Sequence, residues 1–130
     1  MQLSLSVRIA EGFLSKEEAI LPFQEVAKIA RASGYDALCL RGSQIGVHSS
    51  SDQVHAVAQT LADQELGVSM ITGDFATVYN NDQGPEALRN ITPYLDLAET
   101  VKSPRIRVAL KAADDIAHAQ RAADEAAERG

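Results

Sequence analysis

The chain has a single cysteine, Cys39, among its 130 residues. That excludes an intrachain disulfide and any CxxC metal pair. Tryptophan is absent and aromatics make up only 5% of the residues, while the net charge is −6 with no basic stretch. Phosphate backbones are bound by clustered lysine and arginine, so this composition argues against a nucleic-acid partner. There is no apolar run of about eighteen residues, and so no indicated membrane span. Residues Met1 to Ser6 lack the basic stretch and long apolar core of a secretory leader. Together these absences lead to the expectation of a cytoplasmic, soluble protein. Walker, GxGxxG, GxSxG and HExxH motifs are missing too. The segment Gly42-Ser43-Gln44-Ile45-Gly46 is only superficially like a phosphate cradle, because no helix follows it promptly.

What is present is a repeat. Strand-like runs open near Leu3, Asp36, Val68 and Arg105, at spacings of 33, 32 and 37 residues. Each is followed by a helical pattern, which is the βα period of parallel α/β proteins. The first run, Leu3 to Ile9, alternates strictly. Pro22 suits a helix start, and Gly34 the left-handed residue that ends one. Residues 49–52 offer N-caps for the second helix. Pro93 should kink or split the stretch from Pro85 to Val101, with Thr92 capping its second part. The last helix, from about Asp114, has Ile116, Ala119, Ala123 and Ala126 along one face. Its acids, Asp114, Asp115, Asp124, Glu125 and Glu128, most simply form a solvated face. The repeat therefore predicts four βα units over residues 1–130, with a fifth cut off at its first residue.

Strand patterning separates the two architectures that fit. An open doubly wound sheet, as in a flavodoxin-like signalling or cofactor domain, has interior strands that are apolar on both faces. Here Leu3, Leu5, Val7, Leu38, Leu40, Val68, Met70, Ile106, Val108 and Leu110 are assigned to one face. The other receives Ser4, Ser6, Arg8, Ala37, Cys39, Arg41, Ser69, Ile71, Arg105, Arg107 and Ala109. Helices packed on that second set would bury unpaired guanidinium groups, which is costly. A polar barrel lumen can hold it. The predicted fold class is α/β, with four parallel βα units forming half of a TIM (β/α)8 barrel.

In such a barrel the loops after the strands build the site. Arg8, Arg41, Arg107 and Lys111 are expected to converge at the mouth with Gln44. Arginine offers a fork of donors to carboxylate, phosphate or diol oxygens, which favours an anionic or polyhydroxylated ligand. The same arginines can instead pair with Glu11 or Asp74 as scaffold, and Arg105 reads as structural. Asp74, after Gly73, stands where a general base or substrate-hydroxyl acceptor is useful, although an aspartate also caps turns. Glu11, after the first strand, is the second candidate acid/base. His48, Asp52 and His55 are too loosely spaced for a metal site. His118 belongs on the surface, and Cys39 reads as a small buried hydrophobe.

At Ala-Ser-Gly-Tyr-Asp-Ala-Leu-Cys-Leu-Arg (Ala32 to Arg41) the chain resembles the sugar phosphate isomerase/epimerase family, xylose isomerase-like TIM barrels that include endonuclease IV. Ala37 stands where the family commonly has a second glycine. The resemblance continues through Leu66-Gly67-Val68-Ser69 and Ile106 to Val108, and spans the chain in order. It implies metal-dependent (Mn, Mg or Zn) isomerisation or epimerisation of sugar-like substrates. In the family the metal ligands and acid/base groups come from the fifth strand onward. No metal ligand is thereby carried to this chain, which is expected to be inactive alone and to supply lid, scaffold and substrate-orienting groups. The alternative is a non-catalytic half-barrel that self-associates and binds a small anion. Both readings expect a partner, either a second copy or the missing C-terminal half, because an isolated parallel half-barrel leaves two unpaired edges.

Overall fold

A computed structural model describes residues 1–130. Three parallel strands form one sheet in the order β1-β2-β3: Ser4–Ser6, Ala37–Arg41 and Gly67–Thr72. Helix α1 (Phe23–Ala32) connects β1 to β2, and α2 (Ser51–Asp63) connects β2 to β3. The chain continues through α3 (Phe75–Tyr79), α4 (Glu86–Arg89), α5 (Thr92–Val101) and α6 (Asp115–Arg129). No helix is long and apolar enough to cross a membrane.

The helix starts and stops have local causes. Pro22 precedes α1, and Gly34 at φ +85° follows it. Ser50 and Gln53 form a reciprocal capping box at the start of α2, which satisfies two otherwise orphaned N–H groups. Pro93 divides the third connection into α4 and α5, as expected, and sits in the first turn of α5, where its missing N–H costs nothing. Thr92 is not the cap. It is the first helical residue, and its hydroxyl donates instead to Glu125 on α6, at 2.8 Å.

The first strand is shorter than its alternation suggests. Ser6 Oγ accepts from the Arg8 amide at 3.2 Å, and residues Val7–Ala10 tighten into a 3-10 turn. Such a side-chain bond competes with the sheet ladder. Val7 still reaches the core, while Leu3 and Ile9 remain half exposed.

In β3 the register slips by one residue. Leu38 pairs with Val68, but Cys39 pairs with Met70, so Ser69 is an extra residue. Its hydroxyl shares a 2.6 Å hydrogen bond with Ser4 Oγ and lies 3.4 Å from the Leu38 carbonyl. This bulge exchanges the faces of the next two residues. Ile71 turns to the helix layer beside Leu40, at 1% exposure, and Met70 falls beside Cys39. The alternation-based assignment of Met70 and Ile71 is thus reversed.

The fourth predicted strand does not form. The Ile71 amide donates to the Arg105 carbonyl at 3.0 Å and the Arg107 amide to the Ile71 carbonyl at 2.8 Å, a single parallel bridge at Ile106. Beyond it β3 has already ended at Thr72 and turned at Gly73 into α3, so residues 108–110 have no partner on that edge. Three strands and one docked extended segment replace the four expected units.

The core lies between the sheet and one layer of helices. Leu38, Leu40, Val68 and Ile71 meet Val26, Ala27, Ala30, Val54, Val57, Leu61, Leu97 and Val101. Burial of these side chains stabilises the sheet by ~1.5–3 kcal/mol for each large aliphatic residue. A smaller cluster joins α4 and α5 to Ala122 of α6. The opposite face of the sheet carries Ser4, Ser6, Cys39 and Arg41.

Candidate functional site

The carboxyl ends of the strands gather the polar residues. Glu11 leaves the 3-10 turn after β1 and points at the end of β2. Its Oε2 accepts from the Ser43 hydroxyl at 3.0 Å and lies 3.1 Å from Arg41 Nε. Both side chains are nearly buried, Glu11 at 3% and Arg41 at 12% exposure. The Arg41 N–H is not aligned with the contact, so the charges pair without a hydrogen bond. Glu11 Oε1 and Gln44 Nε2 are also buried without a partner. Most buried polar atoms in folded proteins are satisfied. Here three unmet ones stand on adjacent loops after β1 and β2.

The β2–α2 and β3–α3 loops interlock closely. The Val47 amide donates to the Gly73 carbonyl at 2.9 Å, and a Cβ at Gly46 would come within 2.6 Å of that same oxygen. A Cβ at Gly73 would meet the Tyr94 ring at 2.8 Å. The glycines are needed because backbone and ring occupy the space of a side chain.

Asp74 has both oxygens engaged. Oδ1 accepts from the Thr77 amide at 2.6 Å, capping α3, and Oδ2 accepts from the Tyr94 hydroxyl at 2.5 Å. Burial, then the Asp74 hydrogen bond and charge, push the Tyr94 phenol well above its usual range. Nothing in the sequence near Pro93 signalled this partner twenty residues away.

Arg41 and Arg107 both act on the Cys39 thiol, lowering its pKa, but desolvation is the larger effect and pushes it up. Cys39 is therefore a protonated thiol with two arginines nearby, which does not favour nucleophilic chemistry. Lys111 Nζ donates to the Asn80 carbonyl at 2.6 Å, tying the docked segment to the end of α3. Arg8 stands exposed on the 3-10 turn, and no hydrogen bond or ion pair joins its side chain to the Glu11–Arg41 pair. Arg105 donates to the Ser69 carbonyl at 3.5 Å, a link between segments.

Asp115 departs from the solvated face predicted for α6. It is 1% exposed, and its Oδ2 accepts from the Lys111 and Ala112 amides at 2.8 and 2.9 Å. Those two bonds, with Arg89 at 3.4 Å, hold its carboxyl below the usual range. Ile116, on the alanine-rich face of α6, is 63% exposed.

The first loop folds back on itself. The Gly12 amide donates to the Glu18 carbonyl and the Ile20 amide to the Ala10 carbonyl, at 2.9 and 2.6 Å. The Lys16 amide donates to the Tyr79 hydroxyl at 3.1 Å, so the loop rests on α3 with Phe13 and Leu14 exposed at its tip.

No group of three His, Cys, Asp or Glu side chains comes together to hold a metal ion. Glu11 is engaged by Arg41 and Ser43, His48 stacks on Phe75 at 4.6 Å, and His55 Nδ1 contacts the Ser51 carbonyl at 2.7 Å. These residues do not fit the divalent metal implied by the resemblance.

No family model matches the chain, and no curated protein matches it. Among solved structures it is similar to an AP endonuclease, family 2, from Brucella melitensis, with a TM-score of 0.62 and 16% identity. The match covers 100% of this chain and 53% of that one. The likeness shows the fold alone. The chain folds as a partial TIM barrel, and it spans about half the length of that neighbour.

Proposed function

We propose that this half-barrel is the substrate-orienting half of a sugar isomerase/epimerase-like enzyme acting on a polyhydroxylated or anionic small molecule. The metal-binding and principal acid/base groups come from the complementary half of the barrel. The observation that carries this reading is the Glu11–Arg41 ion pair at the carboxyl ends of β1 and β2, with Glu11 Oε1 and Gln44 Nε2 buried beside it without a hydrogen bond. An acceptor oxygen, a guanidinium N–H and an amide N–H together match the donors and acceptors of neighbouring hydroxyl or phosphate oxygens. Arg107 extends the positive surface beside Arg41, and the first loop serves as lid. Of the two carboxylates, Glu11 takes the hydroxyl-accepting role, and Asp74 supports it by holding Tyr94 and the start of α3.

An endonuclease activity, as named for the similar structure, is not favoured. A nucleic-acid surface needs clustered cations, and this chain carries a net charge of −6.

The test is an NMR titration with a pentose phosphate, with inorganic phosphate as comparison. Amide shifts are expected at Glu11, residues 41–44 and Arg107. Arg41→Ala should weaken binding by about tenfold, the worth of one charge-assisted hydrogen bond. Absence of any shift at about 10 mM ligand, which is weaker than a millimolar site allows, would refute the proposal.

A further inference from the structure

The Glu11–Arg41 pair decides what charge a ligand can bring to the ends of β1 and β2. Its two groups lie 3.1 Å apart, with the side chains at 3% and 12% exposure, and as an ion pair they cancel. Glu11 is held in place by its own backbone. Its amide donates to the Arg8 carbonyl at 3.1 Å, and it forms an antiparallel bridge with Ala19 across the base of the first loop. The Gly12 and Ile20 amides close that base on the Glu18 and Ala10 carbonyls. The Ser43 hydroxyl then fixes the carboxylate at 3.0 Å. The negative charge is therefore built into the site, and an entering group has to sit beside it.

Gln44 is fixed as firmly. Its amide and that of Ile45 both donate to the Arg41 carbonyl, at 3.0 and 3.2 Å, and Ile45 is anchored in the core at 1% exposure. Two buried atoms on these adjoining loops lack a hydrogen bond, Glu11 Oε1 and Gln44 Nε2. One is a charged acceptor and the other a neutral donor. A hydroxyl answers both, because it gives its proton to Oε1 and accepts the Gln44 N–H. An ionised phosphate or carboxylate oxygen only accepts. It would satisfy Gln44 but leave Oε1 facing a like charge with little water between them, and Glu11 offsets its attraction to Arg41. Arg107 differs from Arg41. It is exposed, lies close enough to act on Cys39, and takes part in none of the chain's ion pairs.

We infer that Glu11 is a specificity-determining residue, which selects an uncharged hydroxyl group over an anionic one at the Arg41–Gln44 end of the site. This rests on the substrate-orienting reading and narrows its ligand to a polyol whose hydroxyls lie between Glu11 and Gln44. Any anionic group on the same molecule is directed away from Glu11, towards Arg107.

The experiment is an NMR titration of the 130-residue chain with a neutral pentitol and, separately, with inorganic phosphate. Shifts are read at the Gln44 side-chain amide and the Glu11 backbone amide. The pentitol is expected to bind at least about tenfold more tightly than phosphate, the worth of one hydrogen bond to a charged group. Glu11→Gln removes the fixed negative charge and frees Arg41, so phosphate should bind that variant about tenfold more tightly than wild type. Circular dichroism checks that the variant folds, and the wild-type comparison alone decides the matter if it does not. Phosphate binding at these residues as tightly as the pentitol would overturn the inference and leave the substrate-orienting reading standing. So would shifts from a pentose phosphate with none from the pentitol, or a folded Glu11→Gln chain whose preference is unchanged. Silence from all three compounds at about 10 mM removes that reading, and the inference with it.

Discussion

Replacing Arg41 with methionine isolates the contact at the centre of the candidate site. The substitution keeps most of the side-chain volume but withdraws the only cation from a carboxylate that is 3% exposed. Glu11 then retains one hydrogen bond, from Ser43, and an Oε1 with no partner. Breaking a buried ion pair on one side typically costs ~3–5 kcal/mol, because the remaining charge is uncompensated. Arg41 is 12% exposed and its N–H is not aligned with the carboxylate, so the lower end, ~3 kcal/mol, applies here. Glu11→Gln/Arg41→Met removes the charge as well as its partner and should recover ~2 kcal/mol of that loss as coupling. The assay is urea unfolding followed by circular dichroism for wild type, both single variants and the double. All four are measured at one fixed chain concentration. With a slope of about 1–3 kcal/mol/M for a domain of this size, Arg41→Met should lower the midpoint by about 1 M or more. A loss below ~0.5 kcal/mol with no coupling would mean that the pair behaves like a solvated surface contact, and the reasoning from burial would be refuted.

Two pH limbs follow from the perturbed groups. Asp115 has its folded pKa lowered, chiefly by the Lys111 and Ala112 amides, so its stabilisation is present above the unfolded value of about 3.9 and is lost as pH falls through the folded value. Asp115→Asn should flatten the acid limb of a stability–pH profile, and an unchanged limb counts against the assignment. Tyr94 has its folded pKa raised, first by burial. Its contribution is full below the unfolded value of about 10 and declines as pH rises towards the folded one, so Tyr94→Phe should flatten the alkaline limb. Supplied with Mn²⁺, Mg²⁺ or Zn²⁺, the purified chain is expected to show no aldose–ketose interconversion in a coupled assay. Turnover that disappears in Asp74→Asn or Glu11→Gln would move the chemistry into this half.

Much of the fold was legible because it depends on short-range physics. Helices α1, α2 and α6 follow from apolar spacing, a capping box and Gly34, all of which act within a few residues. The βα period and the polar face of the strands follow from side-chain alternation, and they separated a half-barrel from an open sheet. Glu11 and Arg41 could be named as candidates for the same reason, since a strand end is a local feature.

What alternation could not carry was a change of phase. The extra residue at Ser69 reverses Met70 and Ile71, and it is stabilised by Ser4, 65 positions away. The docked segment at Arg105 has a strand sequence, yet it lacks a ladder because β3 turns away before it can pair. Partner choice was equally hidden. Arg41 faces Glu11 rather than open lumen, Asp74 meets Tyr94, and Asp115 leaves the acidic face of α6 to bind two amides and Arg89. Each of these depends on which loops the folded sheet brings within a few ångströms. The sequence by itself therefore determined the repeat, the helices and the polarity of each strand face, because those are set by local periodicity. Only the tertiary structure decided which charges are satisfied, which buried polar atoms lack a hydrogen bond and where the sheet stops pairing, because those depend on contacts between residues far apart in the chain.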